Sequence, residues 1–137
     1  MERADFEKLV EEAIDALPPK FKKLIDNVAV IVEDGASEET KKSVGVPARG
    51  EILGLYHGVP YRHRGPYYGN HPPDVIVIYQ RPIERICSSD EEIREQVKAT
   101  VIHEVAHYFG FSDPELRRIE RESRPGRGPR IPPRERS

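Results

Sequence analysis

The chain has 137 residues, of which 22 are lysine or arginine and 24 are aspartate or glutamate. This length is typical of one domain with a modest core, and a near-neutral charge gives no sign of a protein that binds polyanions as a whole. The single cysteine excludes an intrachain disulfide, and no apolar run reaches the roughly 18–20 residues of a membrane span. Because the charged first residues also lack the apolar core of a secretory signal, we expect a cytoplasmic protein.

The first half of the chain predicts one helix and two strands. Apolar residues at helical spacing predict an amphipathic helix over residues 6–17, and the two prolines that follow are expected to end it. Short runs rich in β-branched and aliphatic residues predict strands at 27–34 and 51–58. Two glycines in the second of these runs indicate a bulge or an edge position. The segment between them, residues 35–50, is expected to be a loop with one helical turn.

The second half predicts a long loop, a buried strand and a long helix. Residues 59–74 are rich in Tyr, His, Arg, Gly and Pro, and a loop of this length is typical of a binding loop or a lid. Four consecutive aliphatic residues in the predicted strand at 74–83 indicate burial on both faces. The longest helix is expected at 88–110, where Ser89 and Glu92 have the spacing of a capping box.

The end of this helix carries the pattern of a metal site. His103 and His107 are four residues apart and would lie one above the other on one face, where both imidazoles can bind one zinc ion. Glu104 would leave the same turn in a neighbouring direction, from which it can reach a water molecule as a general base. Gly110 would end the helix and let the chain turn back, so that Asp113 can supply a third ligand.

The third ligand has alternatives. Asp113 precedes a proline and a predicted short helix, so it can cap that helix, a role that does not exclude metal binding. One of the upstream histidines at 57, 63 and 71 could replace it as a ligand or donate a hydrogen bond during the reaction. The metal itself is also open, because imidazole and carboxylate suit iron, cobalt, nickel and copper as well as zinc.

The stretch HEVAHYFGFSD has the form H-E-x-x-H-x-x-G-x-x-D of the zincins, and with ILGLYHGVPYRHR and PPDVIVIYQRPIE it resembles the small prokaryotic zincin-like metallopeptidases, or minimal zincins. The resemblance covers roughly residues 5 to 122. It implies an α+β fold in which a mixed sheet of about three to four strands packs against the active-site helix and flanking helices. It also implies a zinc site with His103, His107 and Asp113 as ligands and Glu104 as catalytic base. The metzincins differ, because they have a third histidine and a downstream Met-turn, whereas the only methionine here is Met1.

Other side chains are weaker candidates. The hydroxyl groups of Tyr67, Tyr68 and Tyr108 could stabilise a developing oxyanion, and we expect the second catalytic donor to come from the region of residues 67–71. Cys87 lies in a short linker before the long helix, where we expect an unreactive thiol.

We therefore expect one zincin-like domain over residues 1–122 that hydrolyses peptide bonds in an unidentified peptide or protein. Residues 123–137, rich in Arg and Pro, are expected to form a disordered tail. Such a tail can bind nucleic acid through phosphates, which a truncation at Ser123 would test; no membrane partner is expected. The alternative function is a module of zincin shape that binds a metal, nucleic acid or another partner with little or no catalysis.

Overall fold

A computed structural model describes residues 1–25, 28–58 and 74–110, together with Pro114 and Arg118. The predicted tail at 123–137 and nearly all of the predicted long loop lie outside these ranges. Helices and strands are interspersed in the described part, and none of its helices is both long and apolar enough to cross a membrane. In chain order the elements are α1 (Arg3–Asp15), α2 (Pro19–Leu24), β1 (Val28–Glu33), α3 (Glu38–Ser43), β2 (Gly54–His57), β3 (Asp74–Tyr79), α4 (Gln80–Arg85) and α5 (Asp90–Tyr108).

The three strands form one mixed sheet in the order β1-β3-β2. The central strand β3 is parallel to β1, with Val28 opposite Asp74, and antiparallel to β2, with Gly54 opposite Ile78. As predicted, β3 is buried on both faces, because Ile76 and Val77 point to opposite faces and both are buried. The α+β class with a small mixed sheet, expected from the sequence, is confirmed.

Helix α5 has the start and the end that its sequence predicts. The Ser89 side chain accepts a hydrogen bond from the Glu92 backbone N–H at 3.1 Å, while the Glu92 carboxylate accepts one from the Ser88 N–H at 2.7 Å. The reciprocal bond of the capping box is thus displaced by one residue. At the other end, Gly110 has a left-handed φ of 79° and donates its N–H to the carbonyl oxygen of His107 at 2.9 Å.

The core lies between α5, the sheet and α1. Helix α5 contacts β2 and β3 on one side and α1 on another, so it is fixed from two directions. Residues of one parity on each strand face these helices, as the alternation of a β-strand requires. The buried cluster consists of Phe6, Leu9, Val10, Ala13, Leu17, Phe21, Ile25, Ile76, Ile78, Ile83, Ile93, Val97, Val101, Val105, Tyr108 and Phe109.

Two short helices differ from the sequence expectation, and proline explains both. Pro18 and Pro19 do follow the first helix, but they also start α2, with Pro18 as its N-cap and Pro19 at its first position. The predicted strand at 74–83 ends at Tyr79, and α4 continues with Pro82 in its first turn. The first turn of a helix has no intrahelical acceptors for its N–H groups, so a proline there costs no hydrogen bond.

Candidate metal centre

Two histidines and a glutamate lie together in the last two turns of α5. His103 and His107 are one helical turn apart, and their ring centroids are separated by 4.3 Å. Each of His103, Glu104 and His107 has one potential ligand atom that lies within 4.8 Å of those of the other two residues. Residues 1–25, 28–58 and 74–110 contain no second group of three such donors.

Glu104 is the buried member of this group. Its side chain is 7% exposed, against 44% for His107. Its Oε1 atom is buried and makes no hydrogen bond with any residue that the structure describes, although Nδ1 of His107 lies 3.5 Å away. An unsatisfied buried carboxylate oxygen costs about 1–3 kcal/mol or more, so its presence calls for a functional explanation such as catalysis or a bound ion.

The charge of Glu104 also influences Tyr79 at the end of β3. Burial raises the pKa of the Tyr79 hydroxyl, and the carboxylates of Glu33 and Glu104 raise it further. Tyr79 therefore remains a neutral phenol at neutral pH and keeps its proton as a hydrogen-bond donor. Nothing in the sequence distinguishes Tyr79 as a functional candidate, because a tyrosine at the end of an aliphatic strand carries no signal of its neighbours in space.

Gly54 brings strand β2, which lies at one edge of the sheet that the structure describes, close to Glu104. A methyl group added at Gly54 would lie 2.7 Å from Cγ2 of Thr100 and 3.1 Å from Cγ of Glu104. Thr100 and Glu104 are one turn apart on the same face of α5, so this face rests on the backbone of β2. The sequence indicated only a bulge or an edge at this glycine, because the helix residues that contact it, Thr100 and Glu104, are 46 and 50 residues away.

Tyr108 continues the same face of α5 by one more turn. Its ring is buried and packs edge-on against Tyr56 of β2, with centroids 5.6 Å apart, and against Phe109 at 4.8 Å. The face formed by Thr100, Glu104 and Tyr108 therefore runs along β2 in the strand's own direction. The observed position of Tyr108 is that of a packed aromatic residue, and its predicted role as an oxyanion donor remains a prediction.

The donor set fits a zinc ion. Two imidazoles on one helix face could supply two of the three protein ligands that a catalytic zinc site needs. The buried Oε1 of Glu104, which accepts no hydrogen bond from a described residue, lies beside them, where a carboxylate can act on a water molecule. Asp113, the predicted third ligand, lies outside the described residues, but the left-handed Gly110 ends α5 three residues before it.

The remaining candidates are distributed as follows. His57 is exposed at the end of β2 and does not belong to the three-donor group. The predicted candidates at positions 63, 67, 68 and 71 lie outside the described residues. Cys87 lies in the linker between α4 and α5, as expected. Burial raises the pKa of its thiol, and the negative charge of the Glu92 carboxylate raises it further. The raised pKa lowers the thiolate fraction, which argues against a nucleophilic role.

A helix that carries H-E-x-x-H against a small mixed sheet defines a metal-binding protein of zincin type. The sequence profile of the zincin-like metallopeptidases matches residues 25–123, which is more than half of the chain. The chain belongs to this family, which has a metal-dependent, peptidase-like fold and typically binds zinc.

One solved structure supports the fold alone. The chain is similar to a conserved hypothetical protein from T. thermophilus, with a TM-score of 0.52 and 21% sequence identity. The alignment covers 78% of this chain and 92% of that protein. No curated protein sequence matches the chain significantly.

Proposed function

We propose that this protein is a zinc-dependent metallopeptidase. The observation that carries the proposal is the buried Oε1 of Glu104, which makes no hydrogen bond to a described residue and lies beside two histidines one helical turn apart. A carboxylate in this position is poised to take a proton from water, since a general base must be within hydrogen-bond reach of the proton that it removes.

The residues divide the reaction between them. His103 and His107 would bind the zinc ion, with Asp113 as the proposed third ligand. A bound zinc ion supplies Lewis-acid chemistry, which lowers the pKa of water to about 7 and polarises a carbonyl group. Glu104 accepts the proton of the attacking water on its carboxylate and later donates it to the nitrogen of the leaving amine. Burial of Glu104 keeps bulk solvent away from this proton.

The edge strand β2 offers a place for the peptide. The Tyr79 N–H donates to the carbonyl oxygen of Leu53 at 2.9 Å, so by alternation Leu53 and Leu55 direct their backbone polar groups towards β3. The polar groups of Gly54 point the other way, to an edge with no neighbouring strand among the described residues. An extended peptide could pair with this edge as an added strand beside Glu104.

Peptides methylated on single backbone nitrogens should reveal this pairing. Successive amides of an extended peptide point to opposite sides, so N-methylation is expected to raise KM at every second position and to have little effect at the positions between. Loss of one hydrogen bond corresponds to a KM increase of roughly 5- to 10-fold. The intervening positions serve as internal controls, and a scan without this alternation would rule out strand pairing.

Removal of the metal tests the proposed activity. Treatment of the zinc-loaded full-length protein with 1,10-phenanthroline should reduce turnover of a quenched fluorescent peptide library to background, and one equivalent of zinc added after removal of the chelator should restore it. Addition of cobalt or manganese instead would show which metals support turnover. Peptide cleavage that persists without metal would contradict the proposal.

A second candidate function is a metal-binding module without turnover. The three donors of His103, Glu104 and His107 lie within 4.8 Å of one another, so Glu104 could bind the metal directly, as one of the protein ligands of a structural site, without acting as a base. A carboxylate that serves as a ligand is not available to remove a proton from water. The two functions therefore differ in what a substitution at Glu104 does to the bound metal.

A further inference from the structure

Gly54 occupies the point at which the edge strand and the turn of Glu104 meet. There is no room for a methyl group at this position, since its carbon would lie 2.7 Å from Cγ2 of Thr100 and 3.1 Å from Cγ of Glu104. The carbonyl oxygen of Val77 closes the third side at 3.2 Å. Because this oxygen belongs to the backbone of the central strand β3, an added methyl group must be accommodated by a shift of β2 or of the side chains of Thr100 and Glu104.

Conformational freedom does not explain this glycine. Gly54 lies within the regular part of β2, opposite Ile78, and its φ is not in the left-handed region, unlike those of Gly45, Gly58 and Gly110. The backbone conformation at this position is open to residues other than glycine, and a β-branched or aromatic side chain would favour a strand. Close approach of the helix is therefore the physical reason for glycine at position 54.

We propose that Gly54 is a positioning residue for Glu104, which sets the distance between the general base and the edge strand. This inference rests on the proposed function, in which Glu104 acts on a peptide bound along β2. The same residue presents its backbone N–H and C=O to the outer edge and its α-carbon to the methylene chain of Glu104. A side chain here would move the base relative to the bound peptide, while both metal-binding histidines remain on their helix.

Gly54→Ala in the zinc-loaded full-length protein provides the first test. We expect kcat for the best peptide of the fluorescent library to fall roughly 10- to 100-fold, since displacement of a catalytic group by about 1 Å has effects of this size. KM and the zinc content should change little. The melting temperature should also fall, by roughly 4–12 °C, because the added methyl group overpacks the contact. The matched control is Gly35→Ala, since nothing lies within 4 Å of a methyl group at Gly35.

A second substitution separates positioning from packing. Thr100→Ser removes the Cγ2 atom and retains the hydroxyl that accepts a hydrogen bond from Gln96 at 3.2 Å. In the Gly54→Ala/Thr100→Ser variant we expect the melting temperature to recover about half of its loss, because the contact with Cγ of Glu104 remains, while kcat stays low because Glu104 is still displaced. Recovery of both quantities would overturn the proposal and reduce Gly54 to a packing contact with Thr100. An unchanged kcat in Gly54→Ala would overturn it too.

A stability measurement decides the question even if the protein cleaves no peptide. Gly54→Ala is introduced into two backgrounds, the Thr100→Ser variant and the Thr100→Ser/Glu104→Ala variant. The fall in melting temperature that Gly54→Ala causes is then compared between the two backgrounds. If the Glu104 side chain is what the added methyl group displaces, the substitution costs several degrees less when that side chain is absent. An equal cost in both backgrounds would overturn the positioning role, whatever the outcome of the peptidase assay.

Discussion

Replacing Glu104 with glutamine is expected to leave zinc bound while peptide turnover falls roughly 10²- to 10⁴-fold, the range that general acid–base catalysis contributes. Glutamine has nearly the same shape, so the buried contact with Gly54 of β2 is retained. Its amide cannot accept the proton of the attacking water or return it to the leaving amine. The loss should therefore appear in kcat, with KM and metal affinity nearly unchanged.

Metal content by mass spectrometry and kinetics on the same preparations measure this effect. The matched control is Glu95→Gln on the same helix, where the carboxylate is half-exposed and lies 3.9 Å from Lys98. This variant undergoes the same chemical change and should keep both zinc and turnover. Loss of zinc in Glu104→Gln would identify Glu104 as a ligand and favour the structural metal site. Retention of both zinc and turnover would exclude Glu104 as the base.

Features that depend on neighbours in sequence were predicted well. The capped start of α5 and its end at Gly110 follow from interactions that span three or four residues. Burial of β3 follows from four aliphatic residues in a row, which have no polar face to expose. The grouping of His103, Glu104 and His107 is equally local, because helical geometry alone places them in adjacent turns.

Features that depend on distant parts of the chain could not be predicted in this way. The role of Gly54 depends on Thr100 and Glu104, and only the packed structure shows how closely they approach. The end of β3 was predicted too late in the chain, because the sequence does not show that Pro82 lies in the first turn of a helix, α4. Helical spacing cannot predict the position of the proposed third ligand either, because Asp113 follows the end of α5 in the sequence.

Zinc content in alanine variants of the proposed ligands should separate the local from the distant part of the site. We expect His103→Ala and His107→Ala to bring the zinc content from about one per chain to near zero, because each removes one of two imidazoles on the same helix face. We also expect Asp113→Ala to lose zinc, since two imidazoles alone leave a catalytic zinc site one protein ligand short. His57→Ala, which alters a histidine outside the three-donor group, serves as the control and should keep its zinc.

The stability of Asp113→Ala shows which of its two possible roles the aspartate has. A ligand that is lost lowers the melting temperature in the presence of zinc but not in its absence, because only the folded, metal-bound state gains from the ligand. A helix cap that is lost costs about 1 kcal/mol with or without zinc. If Asp113→Ala keeps zinc and loses stability equally under both conditions, Asp113 is a cap. The same comparison would then be made for His63→Ala and His71→Ala, since a third ligand would have to come from the upstream loop.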